Sequence, residues 1–154
     1  GAADQAPAVE RHPVDKDETD LELALAAALN AGMTSVTVVG TISGRVDHAL
    51  GNLLVVAADR WAGIRIDLRI DGTRAWVVRD RVEIRGTVDD LVSLLAIGGQ
   101  ATGVTTTGLA WPLSDSVLDP GAGLGLSNRM ADPTATVEVA SGVVIVFMST
   151  TKGP

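Results

Sequence analysis

Residues 64–84 read IRIDLRIDGTRAWVVRDRVEI, and this stretch decides the fold of the second half of the chain. Isoleucine or leucine stands at every second position from 64 to 70, with arginine or aspartate between, which is typical of a strand with one buried face. Asp71-Gly72 is a strong hairpin signal. The alternation resumes at Trp76 and continues past a turn at Asp80 to Ile84. The segment therefore predicts consecutive short strands.

Further strands are predicted downstream, each a short apolar or β-branched run bounded by turn residues. They cover residues 91–97, 103–109, 134–140 and 143–148, and Ser141-Gly142 joins the last two. About six or seven short strands at such spacing are typical of an antiparallel sandwich or barrel. We therefore predict an antiparallel β-sandwich over residues 64–154.

Upstream of residue 63 the first elements have a different pattern. Thr19 and Glu22 have the spacing of a capping box. A helix is therefore expected from about residue 20 to residue 31, ended by Gly32 in a left-handed conformation. Residues 35–39, SVTVV, lead to Gly40 and predict a buried parallel strand.

A second helix is predicted after the turn GTISGR, with Asp47 as its N-cap and residues 50, 54, 57 and 61 on its apolar face. A parallel strand needs neighbouring strands for its backbone hydrogen bonds, so other residues must complete the sheet. The predicted fold class is thus α/β plus all-β. It consists of a partial doubly wound α/β layer over residues 1–63 and an antiparallel β-sandwich over residues 64–154.

Composition excludes several classes of protein. A net charge of −7 argues against nonspecific binding to nucleic acid or anionic membrane, which relies on a basic surface. The absence of cysteine excludes disulfides, thiolate zinc sites and cysteine nucleophiles, and suits a cytoplasmic protein. No apolar run approaches the ~20 residues of a membrane span. We therefore expect a cytoplasmic protein without nucleic-acid or membrane partners.

The acidic segment DKDETD, residues 15–20, stands at the start of the first predicted helix. Magnesium prefers hard oxygen ligands and leaves room for phosphate oxygens, while a lysine can contact the same phosphates. This composition suits metal-assisted phosphoryl chemistry. Acidic residues at a helix start also complement the helix dipole without any catalytic role. The segment alone leaves both interpretations open.

The segment SGRVDH, residues 43–48, lies between the predicted parallel strand and the second helix. Ligands bind at this edge of open α/β sheets, where free helix amides favour phosphate. Arg45 is therefore a candidate phosphate contact. Asp47 fits the helix cap equally well, and His48 fits a packing or capping role.

The segment TTTGLAWPL, residues 105–113, places Trp111 before a proline, which ends a regular strand. A tryptophan at such an edge can stack on a flat cationic ring. The competing interpretation is ordinary sandwich core, which we expect for Trp76. Trp61 is likewise expected to have a packing role.

Four segments, DKDETDLELAL (15–25), GRVDHALGNL (44–53), TTTGLAWPL (105–113) and GLSN (125–128), together resemble the thiamine pyrophosphokinase family. The resemblance implies transfer of the terminal pyrophosphoryl group of ATP to the hydroxyethyl oxygen of thiamine, giving thiamine diphosphate and AMP with Mg²⁺. It makes residues 1–63 a partial ATP-binding catalytic domain, so that the doubly wound layer is nucleotide-binding. Residues 64–154 become the thiamine-binding and dimerisation domain.

The resemblance also implies roles for residues on the ATP side. Asp20 would join the magnesium site and orient or deprotonate the thiamine hydroxyl. Lys16, Thr19 and Arg45 would contact the ATP phosphates, with Asp47 supporting them.

On the thiamine side, Trp111 would stack on thiamine, and Ser127 and Asn128 would line its pocket. Thiamine in this family sits between two subunits, so the resemblance implies a homodimer in which Trp111 of one chain serves the aspartates of its partner.

Two motifs of the family have no match in this sequence: an ADGG-like turn and a GDFDS-like motif, whose aspartates supply most of the magnesium ligands. We therefore expect a truncated form with an incomplete metal site. The alternative is a non-catalytic thiamine-binding dimerisation module, because Trp111, Ser127 and Asn128 are present without the upstream aspartates.

Overall fold

The computed structural model describes residues 18–41 and 45–150. Its helices are α1 (Asp20–Asn30) and α2 (Val46–Ala57), followed by a 3-10 turn at Asp59–Trp61. Its strands are β1 (Ser35–Gly40), β2 (Arg65–Ile70), β3 (Thr73–Val78), β4 (Arg81–Arg85), β5 (Leu91–Ala96), β6 (Ala101–Thr107), β7 (Ser116–Leu118), β8 (Asn128–Arg129), β9 (Thr134–Glu138) and β10 (Val144–Ser149). Within these ranges no helix is long and apolar enough to cross a membrane.

The larger sheet is mixed and has six strands in the order β1-β2-β3-β10-β5-β8. β1 pairs with β2 in parallel, whereas the other pairs are antiparallel. β2 and β3 form the predicted hairpin, and Asp71 and Gly72 have the positive φ angles of 46° and 80° that a tight primed turn requires. The strand predicted from residues 64–70 therefore also supplies a parallel partner for β1.

Two cores lie on opposite faces of this sheet. The helices pack on one face, and a four-stranded antiparallel sheet, β4-β9-β6-β7, covers the other. Successive side chains of a strand point to opposite faces, so Ile145 of β10 faces the helices while Val144 and Val146 face the second sheet. The first five residues of β10 are apolar because both of its faces pack against a core.

The capping box at the start of α1 is confirmed. The Glu22 amide donates to Thr19 Oγ1 at 3.2 Å, and the Thr19 amide donates to Glu22 Oε2 at 2.7 Å. Gly32 has a φ of 73°, as expected for the residue that ends the helix. This boundary is encoded locally, within a few residues of sequence.

Residues 35–39 form the predicted parallel strand, but the prediction that this strand is buried is wrong. β1 is parallel, but Val39 is 78% exposed and Val36 and Val38 are only half-buried. Within the described residues β1 lies at the edge of the sheet and pairs on one side, with β2. Apolar, β-branched composition identified the strand but not its position in the sheet.

The prediction of Asp47 as the N-cap of α2 is also wrong. The N-cap is Arg45, which makes no side-chain capping bond, and Asp47 lies in the first turn. The predicted apolar face is right for Ala57 and Trp61, which are buried, and wrong for Leu50 and Leu54, which are 56% and 49% exposed. Val56, which was not predicted, also faces the core, since α2 has apolar residues around much of its circumference.

The sheet that a strand joins depends on its contacts with residues far away in the sequence. β3 and β4 follow one another directly but lie in different sheets, and so do β9 and β10. Ser141-Gly142 therefore carries the chain from the smaller sheet to the larger one. The short strands β7 and β8 were missed, because runs of three and two residues have no measurable period.

Candidate functional site

A small cleft of about 60 Å³ lies at the carboxyl ends of the parallel strands β1 and β2. Leu21 of α1, Gly40 and Thr41 at the end of β1, Asn52 of α2 and Ile70 of β2 are among its lining residues. The start of α1 and the first turns of α2 thus border one depression. This edge of a parallel sheet is where ligands commonly bind in α/β proteins.

Asp20 is exposed as the first residue of α1, next to the cleft-lining Leu21. The Thr19 hydroxyl accepts a hydrogen bond from the Glu22 amide, and this capping box fixes the start of the helix. Glu22 also pairs with Arg60, a contact between residues far apart in sequence. Hydrogen bonds from Thr19 are the largest cause of the lowered pKa of the Glu22 carboxyl. Predicted Lys16 lies outside the described residues.

Arg45 and Asp47 form a two-point ion pair at the amino end of α2. Arg45 Nε lies 3.2 Å from Asp47 Oδ1, and Arg45 Nη2 lies 2.5 Å from Asp47 Oδ2. The hydrogen bond from Arg45 is the largest cause of the lowered pKa of the Asp47 carboxyl. Both side chains are about two-thirds exposed, at 67% and 65%. Asp47 therefore orients Arg45 at the amino end of α2 in place of the predicted capping role.

The start of α1 and the start of α2 together have the chemistry of a phosphate site. Unpaired amides at a helix amino end carry partial positive charge and attract anions. Arg45 adds a full positive charge, and Asp20 adds a hard carboxylate oxygen at the same edge. The structure thus brings Asp20, Thr19, Arg45 and Asp47 to one side of the sheet.

Trp111 is 60% exposed, which rules out a place in the sandwich core for this side chain. In contrast, Trp61 and Trp76 are 4% and 6% exposed, as predicted for packing residues. Trp111 lies in the segment that follows β6. In the same segment, Leu109 forms an isolated antiparallel β-bridge with Met130. The Trp111 indole is available to solvent and to a flat ligand.

Asn128 is only 4% exposed, and its amide holds the backbone of Trp111. Asn128 Oδ1 accepts the Trp111 amide at 3.1 Å, and Asn128 Nδ2 donates to the Trp111 carbonyl at 2.6 Å. The Arg129 amide also donates to Asn128 Oδ1, at 2.8 Å. Both polar atoms of the side chain are thus engaged by backbone groups. Asn128 positions Trp111.

Ser127 is exposed beside this clamp, in a left-handed conformation with φ of 56°. Its amide donates to Ser93 Oγ at 3.1 Å, which ties the segment to β5. Ser93 was missed from the sequence, because 34 residues separate it from Ser127 and no local pattern links them. Exposed Leu124 and Leu126 precede Ser127 and add apolar surface close by in sequence.

The two groups of candidate residues lie on opposite edges of the larger sheet. The cleft is at β1 and β2, whereas Asn128 begins β8 at the other edge. Five strand spacings of about 4.8 Å separate the edge strands, or about 24 Å. Within one chain the start of α1 and the segment that holds Trp111 therefore lie near opposite edges of the larger sheet.

Two family models match separate regions of this chain. Residues 2–67 match the family model described as thiamin pyrophosphokinase, catalytic domain, and residues 81–144 match thiamin pyrophosphokinase, vitamin B1 binding domain. Thiamine pyrophosphokinase of Bacillus subtilis is 30% identical over 148 residues, covering 94% of this chain and 69% of that protein. Thiamine pyrophosphokinase 2 of Arabidopsis thaliana is 28% identical, covering 84% of this chain and 52% of that protein.

Solved structures show the same likeness. The crystal structure of the Bacillus subtilis enzyme superposes with a TM-score of 0.79 at 27% identity, covering 89% of this chain and 65% of that one. The Candida albicans enzyme shares the fold at a TM-score of 0.60 and 13% identity. The chain thus spans about two-thirds of the length of its Bacillus relative and about half that of its Arabidopsis relative. It belongs to the thiamine pyrophosphokinase family.

Proposed function

We propose that the protein acts as a thiamine diphosphokinase, transferring a pyrophosphoryl group from ATP to thiamine. The observation that carries this proposal is the exposed Trp111, clamped by Asn128 within the region that matches the vitamin B1 binding model. An exposed indole held in one orientation suits stacking on the cationic ring system of thiamine. The relatives cited above all carry the kinase name, and the non-catalytic alternative has no better support.

The proposal includes the finer description of the fold. Residues 1–63 would belong to a doubly wound, nucleotide-binding α/β layer, supported by the order α1, β1, α2 and the parallel pairing of β1 with β2. Residues 64–154 would form the thiamine-binding and dimerisation β-sandwich, supported by the core between the two sheets. The cysteine-free composition suits a cytoplasmic location.

On the ATP side, Thr19, Arg45 and the predicted Lys16 would contact the phosphates. The amino ends of α1 and α2 support this role, because their amides and Arg45 attract negative charge. Asp47 holds the Arg45 guanidinium through two hydrogen bonds, so less side-chain freedom is lost when phosphate binds.

Asp20 would provide the metal-binding carboxylate. Within residues 18–41 and 45–150 no cluster of three or more histidine, aspartate or glutamate side chains is present. Mg²⁺ nevertheless fits, because it commonly binds through one or two carboxylates together with substrate phosphates and water. When bound, Mg²⁺ neutralises triphosphate charge and helps to hold the phosphates in line with the attacking alcohol.

The proposed reaction needs no covalent intermediate. The thiamine hydroxyl oxygen forms a bond to the β-phosphorus of ATP, the bond from that phosphorus to the bridging oxygen on the α side breaks, and AMP leaves. Asp20 would orient the hydroxyl or accept its proton, and Arg45 would stabilise the phosphate charge. Most of the acceleration would come from positioning and electrostatic stabilisation.

Thiamine would lie against Trp111, with Ser127 lining the pocket and Asn128 fixing the Trp111 backbone. Because the edge strands β1 and β8 are about 24 Å apart, with Asp20 near the first and Trp111 held beside the second, a complete site would require a second copy of the chain. This spacing supports a homodimer in which each site combines Asp20 of one protomer with Trp111 of its partner.

The test is AMP release from ATP with thiamine and Mg²⁺, measured for the wild type and two variants. We expect Asp20→Asn to lower kcat by about 10²-fold or more, the scale of general acid–base and electrostatic contributions. Asp89→Asn is the matched control, because Asp89 is exposed with φ of 74°, which asparagine tolerates well. An inactive wild type contradicts the proposed activity, and an unimpaired Asp20→Asn contradicts the role of Asp20.

A further inference from the structure

Three polar or charged side chains are buried among the described residues, and two of them hold the segment that carries Trp111. The three are Asp90, Thr106 and Asn128. Asn128 holds the backbone of Trp111 itself. Thr106, which is 3% exposed, holds the same segment two residues further on, at Leu113. The exposed indole therefore has a second buried polar side chain beneath its segment.

Thr106 engages both backbone groups of Leu113. The Thr106 hydroxyl accepts a hydrogen bond from the Leu113 amide at 2.8 Å, and the Thr106 amide donates to the Leu113 carbonyl at 3.0 Å. In a regular antiparallel pair, a main-chain carbonyl would accept the first of these bonds. Here the Thr106 side chain replaces that carbonyl. A change of this one side chain therefore removes a bond that the backbone does not supply.

Residues 110–113 are bonded along their backbone at both ends. The Ala110 amide donates to the Arg129 carbonyl at 2.9 Å, and the Trp111 amide donates to Asn128 Oδ1 at 3.1 Å. These two bonds join the segment to β8, whereas the bonds described above join it to β6. Every backbone N–H of the segment therefore has a partner.

Pro112 lies between the two clamped residues and removes further freedom. Its ring fixes φ at about −65°, and it restricts Trp111, the residue before it, to extended conformations. Leu113, the residue after it, packs against the core between the two sheets. The Trp111 backbone is therefore fixed from both sides. An indole with a fixed backbone loses less conformational freedom when a ligand binds.

We propose that Thr106 is a positioning residue for thiamine, acting through Leu113 and Pro112 on the orientation of Trp111. The inference rests on the proposed function, because it takes the ligand at Trp111 to be thiamine. Thr106 is buried, so it acts on the ligand through this segment alone. Without the hydroxyl, the Leu113 amide loses its partner, the segment is clamped only at β8, and the indole samples more orientations.

Thr106→Val tests the proposal, because valine keeps the shape of threonine and lacks the hydroxyl. We expect the KM for thiamine to rise about tenfold, the scale of one lost hydrogen bond to a buried group. The KM for ATP should stay within about twofold, because the starts of α1 and α2 lie near the other edge of the larger sheet. Thr106→Ser keeps the hydroxyl and should return the KM for thiamine to within about threefold of the wild type.

Thr107→Val is the matched control. Thr107 is the next residue of β6, and its hydroxyl lies 2.7 Å from the exposed Thr136 hydroxyl, so the variant loses a hydrogen bond outside residues 110–113. Its KM for thiamine should stay within about twofold of the wild type. Equal rises in the KM for thiamine in the two valine variants, equal rises in both KM values of Thr106→Val, or no recovery in Thr106→Ser would overturn the proposal.

Time-resolved fluorescence anisotropy of the ligand-free protein separates this inference from the proposed function. Trp111 is exposed, so rapid motion of its indole adds a fast component to the decay. The amplitude of that component should rise in Thr106→Val but not in Thr107→Val, and the rise should vanish when Trp111→Ala is added. A wild type that releases no AMP contradicts the proposed function. An unchanged amplitude in Thr106→Val contradicts the positioning role, whatever the activity.

Discussion

At the scale of single residues, the most informative contact is the one between Asn128 and Trp111. One buried amide serves both backbone groups of the tryptophan, and the indole remains exposed. The side chain that the family resemblance assigned to the thiamine pocket therefore acts on the neighbouring chain segment. In the proposed site, Asn128 would act on the ligand indirectly, through the position of Trp111.

Asn128→Ala removes this clamp and leaves the Trp111 amide and carbonyl without their side-chain partner. We expect a loss of about 1–3 kcal/mol in the free energy of unfolding, measured by urea denaturation followed by circular dichroism. Thiamine affinity should fall as well, because the indole loses its fixed orientation. Gln100→Ala is the control, since among the described residues the exposed Gln100 amide bonds only to Asp119, and its loss should cost under about 0.5 kcal/mol. Equal stability of the two variants would contradict the clamp.

The same residues show which features of the candidate site the sequence predicts and which it does not. Trp111, Ser127 and Asn128 were identified together by motif, and the structure brings them together at one edge. The direction of the Asn128 side chain was not predictable, because it depends on a contact with a residue 17 positions away. The ion pair between Arg60 and Glu22 was missed for the same reason, over 38 positions.

At the scale of elements, features set by local sequence were predicted correctly, whereas several features set by long-range contacts were not. The capping box of α1 and the Asp71-Gly72 hairpin were predicted correctly, because each is encoded within about four residues of sequence. The burial of β1, the exposure of Leu50 and Leu54 in α2 and the sheet in which β4 lies were not. Each of these depends on which distant strand or helix packs against the element, and periodicity does not report it.

The connection between β9 and β10 is the element on which the two-sheet arrangement depends. Gly142 has a φ of 92°, and a Cβ there would lie 2.5 Å from the Gln100 carbonyl and 2.8 Å from Ala101 Cα. Because both neighbours are backbone, Gly142→Ala should destabilise the fold by about 2–4 kcal/mol, combining positive-φ strain with steric overlap. Thermal denaturation measures the effect.

Gly98→Ala is the matched control for that variant. Gly98 has a similar φ of 77°, but a Cβ there meets nothing within 4 Å. It should therefore cost about 1 kcal/mol, the backbone term alone. If the two variants lowered stability equally, close backbone approach at the crossover would not be the reason for Gly142.

At the scale of the whole molecule, the arrangement of the strands separates the two halves of the proposed site. The cleft at β1 and β2 and the Trp111 clamp at β8 are on opposite edges of one rigid sheet. The sheet cannot bend far enough to bring its edge strands together, since its central strands β3 and β10 are packed on both faces. The proposed homodimer would join Asp20 of one copy to Trp111 of the other in a shared site.

Mixed dimers test this arrangement directly. Asp20→Asn and Trp111→Ala each impair both sites of their own homodimer, but a mixed dimer has one site with both residues intact. Random assembly after co-expression makes half of the dimers mixed, so AMP release should recover to about a quarter of the wild-type rate. Co-expressing Asp20→Asn with the Asp20→Asn/Trp111→Ala double variant should give no recovery, because every site then lacks Asp20. Failure of the first pair to recover, with mixed dimers demonstrated by mass spectrometry, would place each site within a single chain.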